Sequence, residues 1–128
     1  MLEPARELLC EHQILLLELD VGNFYIALAD EPDRPRVLGI IRDGLRPWQR
    51  AFVGVISPIN PRIESPEEVR DRVMEAAAYI PPGQLGTTDD CGFSPFFDDI
   101  STTRDVAFAK IRARVAGTAM AAEAIKDR

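Results

Sequence analysis

Apolar residues fall in short runs broken by proline, glycine and charge, and the runs are of two kinds. Ile14-Leu15-Leu16-Leu17-Glu18-Leu19-Asp20, Ala51-Phe52-Val53-Gly54-Val55-Ile56-Ser57 and Gln84 to Thr88 have strand length and little interior polarity, which is how strands of a parallel sheet covered on both faces read. Other stretches repeat at helical spacing. Ser65-Pro66-Glu67-Glu68 opens a helix with a capping serine, a first-turn proline and a glutamate spaced for a capping box. Val69, Val73, Ala76, Ala77 and Ile80 supply its apolar face, and Pro81 and Pro82 close it. Ser101 or Thr102 caps a last helix reaching about Lys126, with Phe108, Ile111, Val115, Ala119 and Ala122 as the predicted buried stripe. Gly117 inside that helix points to close backbone contact with another element. Phe24 to Ala29 reads as a short helix, and Glu31-Pro32-Asp33-Arg34-Pro35-Arg36 as a loop. The predicted order is strand, helix, strand, helix, strand, helix, an α/β chain with a parallel sheet.

Composition narrows the class without changing that reading. With 46% apolar and 28% charged residues in 128, the chain has the make-up of an ordinary globular domain. No apolar run reaches the ~20 residues of a membrane span, and no basic, then apolar signal sequence opens it, so the expectation is a cytoplasmic protein without a membrane partner. A net charge of -6 with arginines scattered among acids argues against a nucleic-acid partner. Cys10 and Cys91 are the two cysteines, and in that compartment free thiols are expected rather than a disulfide.

The chemistry concentrates in Leu85-Gly86-Thr87-Thr88-Asp89-Asp90-Cys91-Gly92-Phe93-Ser94-Pro95. A strand ends in two acids and a cysteine, and Gly92 permits a sharp turn behind the thiol. Together with Glu64-Ser65-Pro66-Glu67-Glu68-Val69, Tyr79-Ile80-Pro81-Pro82 and Arg104-Asp105-Val106-Ala107-Phe108-Ala109-Lys110, this ordered series resembles the carboxyl-terminal end of cobalamin-independent methionine synthase and its short relatives. The resemblance implies a (β/α)8 barrel in which the cysteine of the Asp-Cys-Gly motif binds a zinc ion that activates a thiol for alkyl transfer. A complete barrel takes ~250 residues, so residues 1–128 read as a single incomplete carboxyl-terminal portion, the last three βα units of a partial TIM barrel.

The resemblance also suggests Glu18 as a second zinc ligand, because a glutamate following an apolar strand serves that role in the related enzymes. The alternative for Glu18 is a helix cap or an ion pair, and an isolated buried carboxylate is excluded by its cost. Two departures stand out. The family's aspartate and general-acid histidine after the Gly-Val motif correspond to Ser57 and Ile59, and isoleucine transfers no proton. The family's His-x-Cys ligand pair is absent; Cys10-Glu11-His12 precedes the first predicted strand and so lies at the wrong end of the sheet.

Zinc would therefore need ligands from outside this chain, and the catalytic residues stay unassigned. In the loop with Phe93, Phe96 and Phe97, the aromatics read as a hydrophobic plug more readily than as a lip over a metal, and Asp98 and Asp99 as solvated. Three readings remain open. One is the terminal part of a thiol methyltransferase barrel acting on a small thiol such as homocysteine, either a fragment of a longer gene or half of a split protein completed by a complementary barrel fragment. Another is a degenerate, non-catalytic copy working as a homo-oligomeric binding or structural domain. The last is a stand-alone small α/β domain with a structural Cys91.

Overall fold

The computed structural model describes residues 16–93 and 102–127. Its elements alternate: β1 (Asn23–Ile26), α1 (Arg34–Gly44), β2 (Arg50–Gly54), α2 (Pro66–Ala77), a 3-10 turn (Pro82–Gln84), β3 (Leu85–Thr88) and α3 (Arg104–Lys126). The three strands form one parallel sheet in the order β1-β2-β3. The predicted alternation and parallel pairing are thus observed, with strands and helices at changed positions in the first third of the chain.

Leu16 and Leu17 are helical rather than part of a strand, and the first strand falls where a short helix was expected. A continuous apolar run does not distinguish strand from buried helix, and leucine is a strong helix former. Asn-Phe-Tyr-Ile carries the aromatic and β-branched residues that suit a pleated surface, and its burial alternates exposed, buried, exposed, buried. The stretch Glu31 to Arg36 is not wholly loop, since Asp33 caps α1 by accepting from the Arg36 backbone N–H at 3.2 Å and a proline sits in the first turn, where its missing donor does no harm.

Register explains which side of the sheet is covered. Phe24, Ala51 and Leu85 form one lateral row, and Ile26, Val53 and Thr87 another on the same face. That face joins Val37, Leu38 and Ile41 of α1, Val69, Val73 and Ala76 of α2 and Ala121 of α3 in one core. The opposite face carries the row Tyr25, Phe52 and Gly86, with Tyr25 69% exposed. Among the described residues the helices cover one face of the sheet, where covered strands on both faces were expected. Phe52 lies over Gly86, where an added Cβ would fall 2.3 Å from its ring, and Tyr25 meets Phe52 edge-on at 5.1 Å.

α2 starts as its sequence predicts: Ser65 Oγ accepts from the Glu68 N–H at 3.1 Å. Glu68 does not close the capping box but takes a two-pronged pair from Arg62, at 2.7 and 3.0 Å. α3 is capped by Thr103 and buries Lys110, Ala113, Gly117 and Ala121. The predicted stripe faces outward, with Phe108 48% and Val115 58% exposed. The cause is Gly117: a Cβ there would meet the Pro66 carbonyl oxygen and Val69 Cβ, each at 2.5 Å, so α3 lies against α2 on its small residues. Gly117→Ala is expected to destabilise the fold by about 1–3 kcal/mol through overpacking, despite alanine's better helix propensity. Urea unfolding measures this, and an unchanged or raised stability would contradict the contact.

Candidate functional site

In an open parallel sheet the carboxyl ends of the strands gather the loops that do chemistry. Here that rim is formed by residues 27–33 after β1, 55–65 after β2 and 89–93 after β3. Asp89 and Asp90 part in opposite directions. Asp89 Oδ1 accepts from Arg114 Nε of α3 at 2.9 Å. Asp90, in the left-handed region at φ 49°, turns its carboxylate under the sheet's end, where Oδ1 accepts from the backbone N–H groups of Leu28 at 2.9 Å and Ala29 at 3.0 Å.

That latch is possible because residue 54 is glycine, for a Cβ on Gly54 would sit 1.5 Å from Asp90 Oδ1. Burial pushes the Asp90 carboxyl pKa above its ordinary value, while the Ala29 and Leu28 donors pull it back; Asp30 adds repulsion and Arg72 offsets some of it. Cys91 follows as a free, exposed thiol, and Gly92 takes the turn at φ 88°, as its sequence predicts.

The loop after β2 is built around Ser57. Its N–H donates to Glu64 Oε2 at 2.9 Å, its Oγ donates to Asp30 Oδ2 at 2.6 Å, and its carbonyl accepts from Lys110 Nζ at 2.9 Å. Lys110 Nζ also pairs with Glu64 Oε1 at 2.7 Å, the two side chains being 0% and 2% exposed. Each partner also bonds the Ser57 backbone, the ammonium to its carbonyl and Glu64 Oε2 to its N–H, and such added hydrogen bonds help a buried pair to be tolerated. Arg72 adds a hydrogen bond to the Val55 carbonyl at 2.8 Å. Ile59, at the family's acid-histidine position, is 65% exposed. Asn60 Oδ1 accepts from the Arg62 N–H at 3.0 Å, a bond within the loop.

The sequence-predicted pair Cys91 and Glu18 is not brought together. Glu18 is exposed and precedes β1, where its carbonyl accepts from Arg46 on the segment leading into β2, at 3.4 Å. Cys91 lies beyond the far end of β3. Parallel strands of four residues place those ends roughly 13 Å apart at ~3.3 Å per residue, against zinc-ligand bonds of about 2.0–2.3 Å. The true strand, β1, is followed by Ala27, Leu28 and Ala29, and the first acid there is Asp30. Among the described residues, no group of three or more His, Cys, Asp or Glu side chains is placed to hold a metal, so these residues alone do not fit a zinc ion.

Phe93 is half-buried and packs against the core, while Phe96, Phe97, Asp98, Asp99, Cys10 and His12 lie outside the described residues. Sequence reasoning missed Asp30, Glu64, Asp90 and Lys110. Lys110 had a signal, since it stands seven residues before Gly117 on the same side of α3.

These features define a parallel α/β protein of βα repeats whose polar carboxyl-end rim carries the exposed thiol of Cys91. No family model matches the chain. It is 33% identical over 112 residues to a methionine synthase of Sulfurisphaera tokodaii, covering 87% of this chain and 30% of that protein. It is 31% identical over 81 residues to 5-methyltetrahydropteroyltriglutamate–homocysteine methyltransferase 1 of Oryza sativa subsp. japonica, covering 63% of this chain and 10% of that protein. Among solved structures, the B12-independent methionine synthase of Shewanella sp. W3-18-1, in complex with selenomethionine, superposes with a TM-score of 0.73 at 20% identity, covering 91% of this chain and 31% of that one. The chain is related to the carboxyl-terminal part of cobalamin-independent methionine synthase. It spans less than a third of the length of these relatives. No described helix is long and apolar enough to cross a membrane.

Lys110→Met leaves Glu64 charged and buried, and is expected to lower the unfolding free energy by about 3–5 kcal/mol. Lys110→Met with Glu64→Gln should lose less, and equal losses would show that the pair is not what Lys110 supplies. Asp90→Asn keeps an acceptor and a residue type that tolerates the left-handed region. Because burial raises the folded-state pKa, the protonated acid favours folding. That contribution is complete below the unfolded pKa of about 3.9 and is lost as pH rises through the higher folded value. Wild type should therefore lose stability relative to Asp90→Asn as pH rises from about 4 through the raised folded-state value, and urea melts showing a pH-independent difference would contradict this.

Proposed function

We propose that this chain supplies the last three βα units of a methionine synthase-like (β/α)8 barrel and takes part in methyl transfer to a small thiol such as homocysteine only when complementary βα units complete it. The observation that carries the reading is the one-sided sheet. Among the described residues the helices cover one face, and the other presents Tyr25 and Phe52, as strands do when they look into a barrel. Within such an assembly Cys91 is this chain's zinc donor, and the further ligands a catalytic zinc requires come from outside the chain. Glu18 serves the amino-end rim in this arrangement, not the metal.

The absent His-x-Cys pair and the isoleucine at position 59 support inactivity in isolation. The runner-up, a degenerate non-catalytic copy, is favoured by the same positions and differs in predicting no activity after completion. The test is co-expression with the remainder of the Sulfurisphaera tokodaii methionine synthase, truncated ahead of the matching segment. The expected result is co-purification, about one zinc per complex, metal loss on Cys91→Ser, and little zinc on the chain alone. Absence of a complex would overturn completion. A complex whose zinc is unaffected by Cys91→Ser would remove Cys91 as donor, and a zinc-loaded complex without methyl transfer would select the degenerate copy.

A further inference from the structure

Between exposed Arg104 and Lys126, the side of α3 turned away from α2 carries apolar residues with Arg112 among them. Phe108, Val115 and Ala122 recur at intervals of seven with Ala119 between them, the spacing of a helix-pairing seam. Phe108 and Val115 are 48% and 58% exposed, and Ala119 and Ala122 are exposed as well. This side is turned away from the Gly117 contact with α2, so α3 has its intramolecular partner on one side and an unused seam on the other.

Two charges mark what fits there. Arg112 and Glu123 are both exposed, and among the described residues neither has an ion-pair partner. They stand eleven residues apart in α3, about three turns, and therefore project from the same flank of the seam. A twofold axis perpendicular to two antiparallel helices keeps that flank on the same side in both. With the axis crossing between Gly117 and Thr118, Arg112 lies as far before the midpoint as Glu123 lies after it.

We infer that a second copy of this chain docks on the outward face of α3, the two helices antiparallel, with Arg112 of each copy meeting Glu123 of the other. Self-complementary placement of the same patch is what an isologous interface requires. Alanine at positions 119 and 122 lets the helices approach closely near the axis, while Phe108, with Arg104 stacked on its ring at 5.5 Å, closes each end of the seam. One helix per copy falls at the small end of specific interfaces, about 1,200 Å² in total, so the dimer is reversible. Barrel completion would lay a further helix along this same side of α3, so the dimer is a state of the chain without its complement, and the two assemblies compete for one seam.

Sedimentation velocity of the full chain over a wide concentration range tests it. The unmodified chain should show a monomer–dimer equilibrium. R112E and E123R should each weaken dimerisation about tenfold, because each turns two attractions into two repulsions, and the double variant R112E/E123R should restore it. All these positions are exposed, and circular dichroism confirms that the variants fold. A monomer at every concentration, single variants that dimerise normally, or a double variant that fails to recover would each overturn the inference. Dimers dispersed by F52K and untouched by the α3 changes would overturn it too, and assign self-association to the open sheet face.

Discussion

Two helix backbones approach closely only where no Cβ stands between them, and at Gly117 that space is already filled by the Pro66 carbonyl and Val69. The rotation of α3 about its own axis is thereby fixed. Ala113 and Ala121, one turn either side, follow Gly117 inward, and Lys110, two turns before it, is carried into the interior with them. A lysine there is tolerable only because Glu64 and the Ser57 carbonyl receive its ammonium. The same rotation sends Phe108 and Val115 to the surface. One missing methyl group thus decides the core face of the longest helix, its buried charge and its exposed seam.

The carboxyl rim shows how polar residues at a site-like position become structural. Asp90 ties the end of β3 to the backbone after β1, through a gap that Gly54 keeps open. Asp89 ties the same loop to α3 through Arg114. Ser57, Asp30, Glu64 and Lys110 form a second set of ties around the loop after β2. Each of these groups bonds backbone or another side chain, while Cys91 is exposed. The ties hold the loops together, and among the described rim residues Cys91 is the exposed thiol.

What the sequence disclosed followed the range of the interactions. The Ser65 cap, the first-turn Pro66, the turn at Gly92 and the close contact at Gly117 depend on residues within one turn or on backbone geometry alone, and each was readable. β2 and β3 were readable because their apolar runs are bounded by proline, glycine and acids. β1 was displaced because a leucine run satisfies the strand and helix patterns equally, and with it went the partnership of Glu18 and Cys91. The face of α3 was misjudged because large apolar residues usually mark the core, whereas here the core contact excludes them. Asp90 with Leu28, and Lys110 with Glu64, join residues 62 and 46 positions apart, and no local pattern encodes such pairs.

The second side of the sheet poses the remaining physical question, since among the described residues no helix lies over it and an uncovered sheet face exposes apolar surface. Part of the answer lies in the row Tyr25, Phe52 and Gly86. With glycine in β3, the Phe52 ring lies down across its neighbour, and the Tyr25 edge closes on it. A side chain at position 86 would push the ring up toward water and leave β3 no better covered. The face therefore shields itself sideways without a second layer, and presents a low aromatic surface to any element placed over it. The flattening is local: it takes one glycine and two rings on neighbouring strands, and it sets how much apolar surface this row presents.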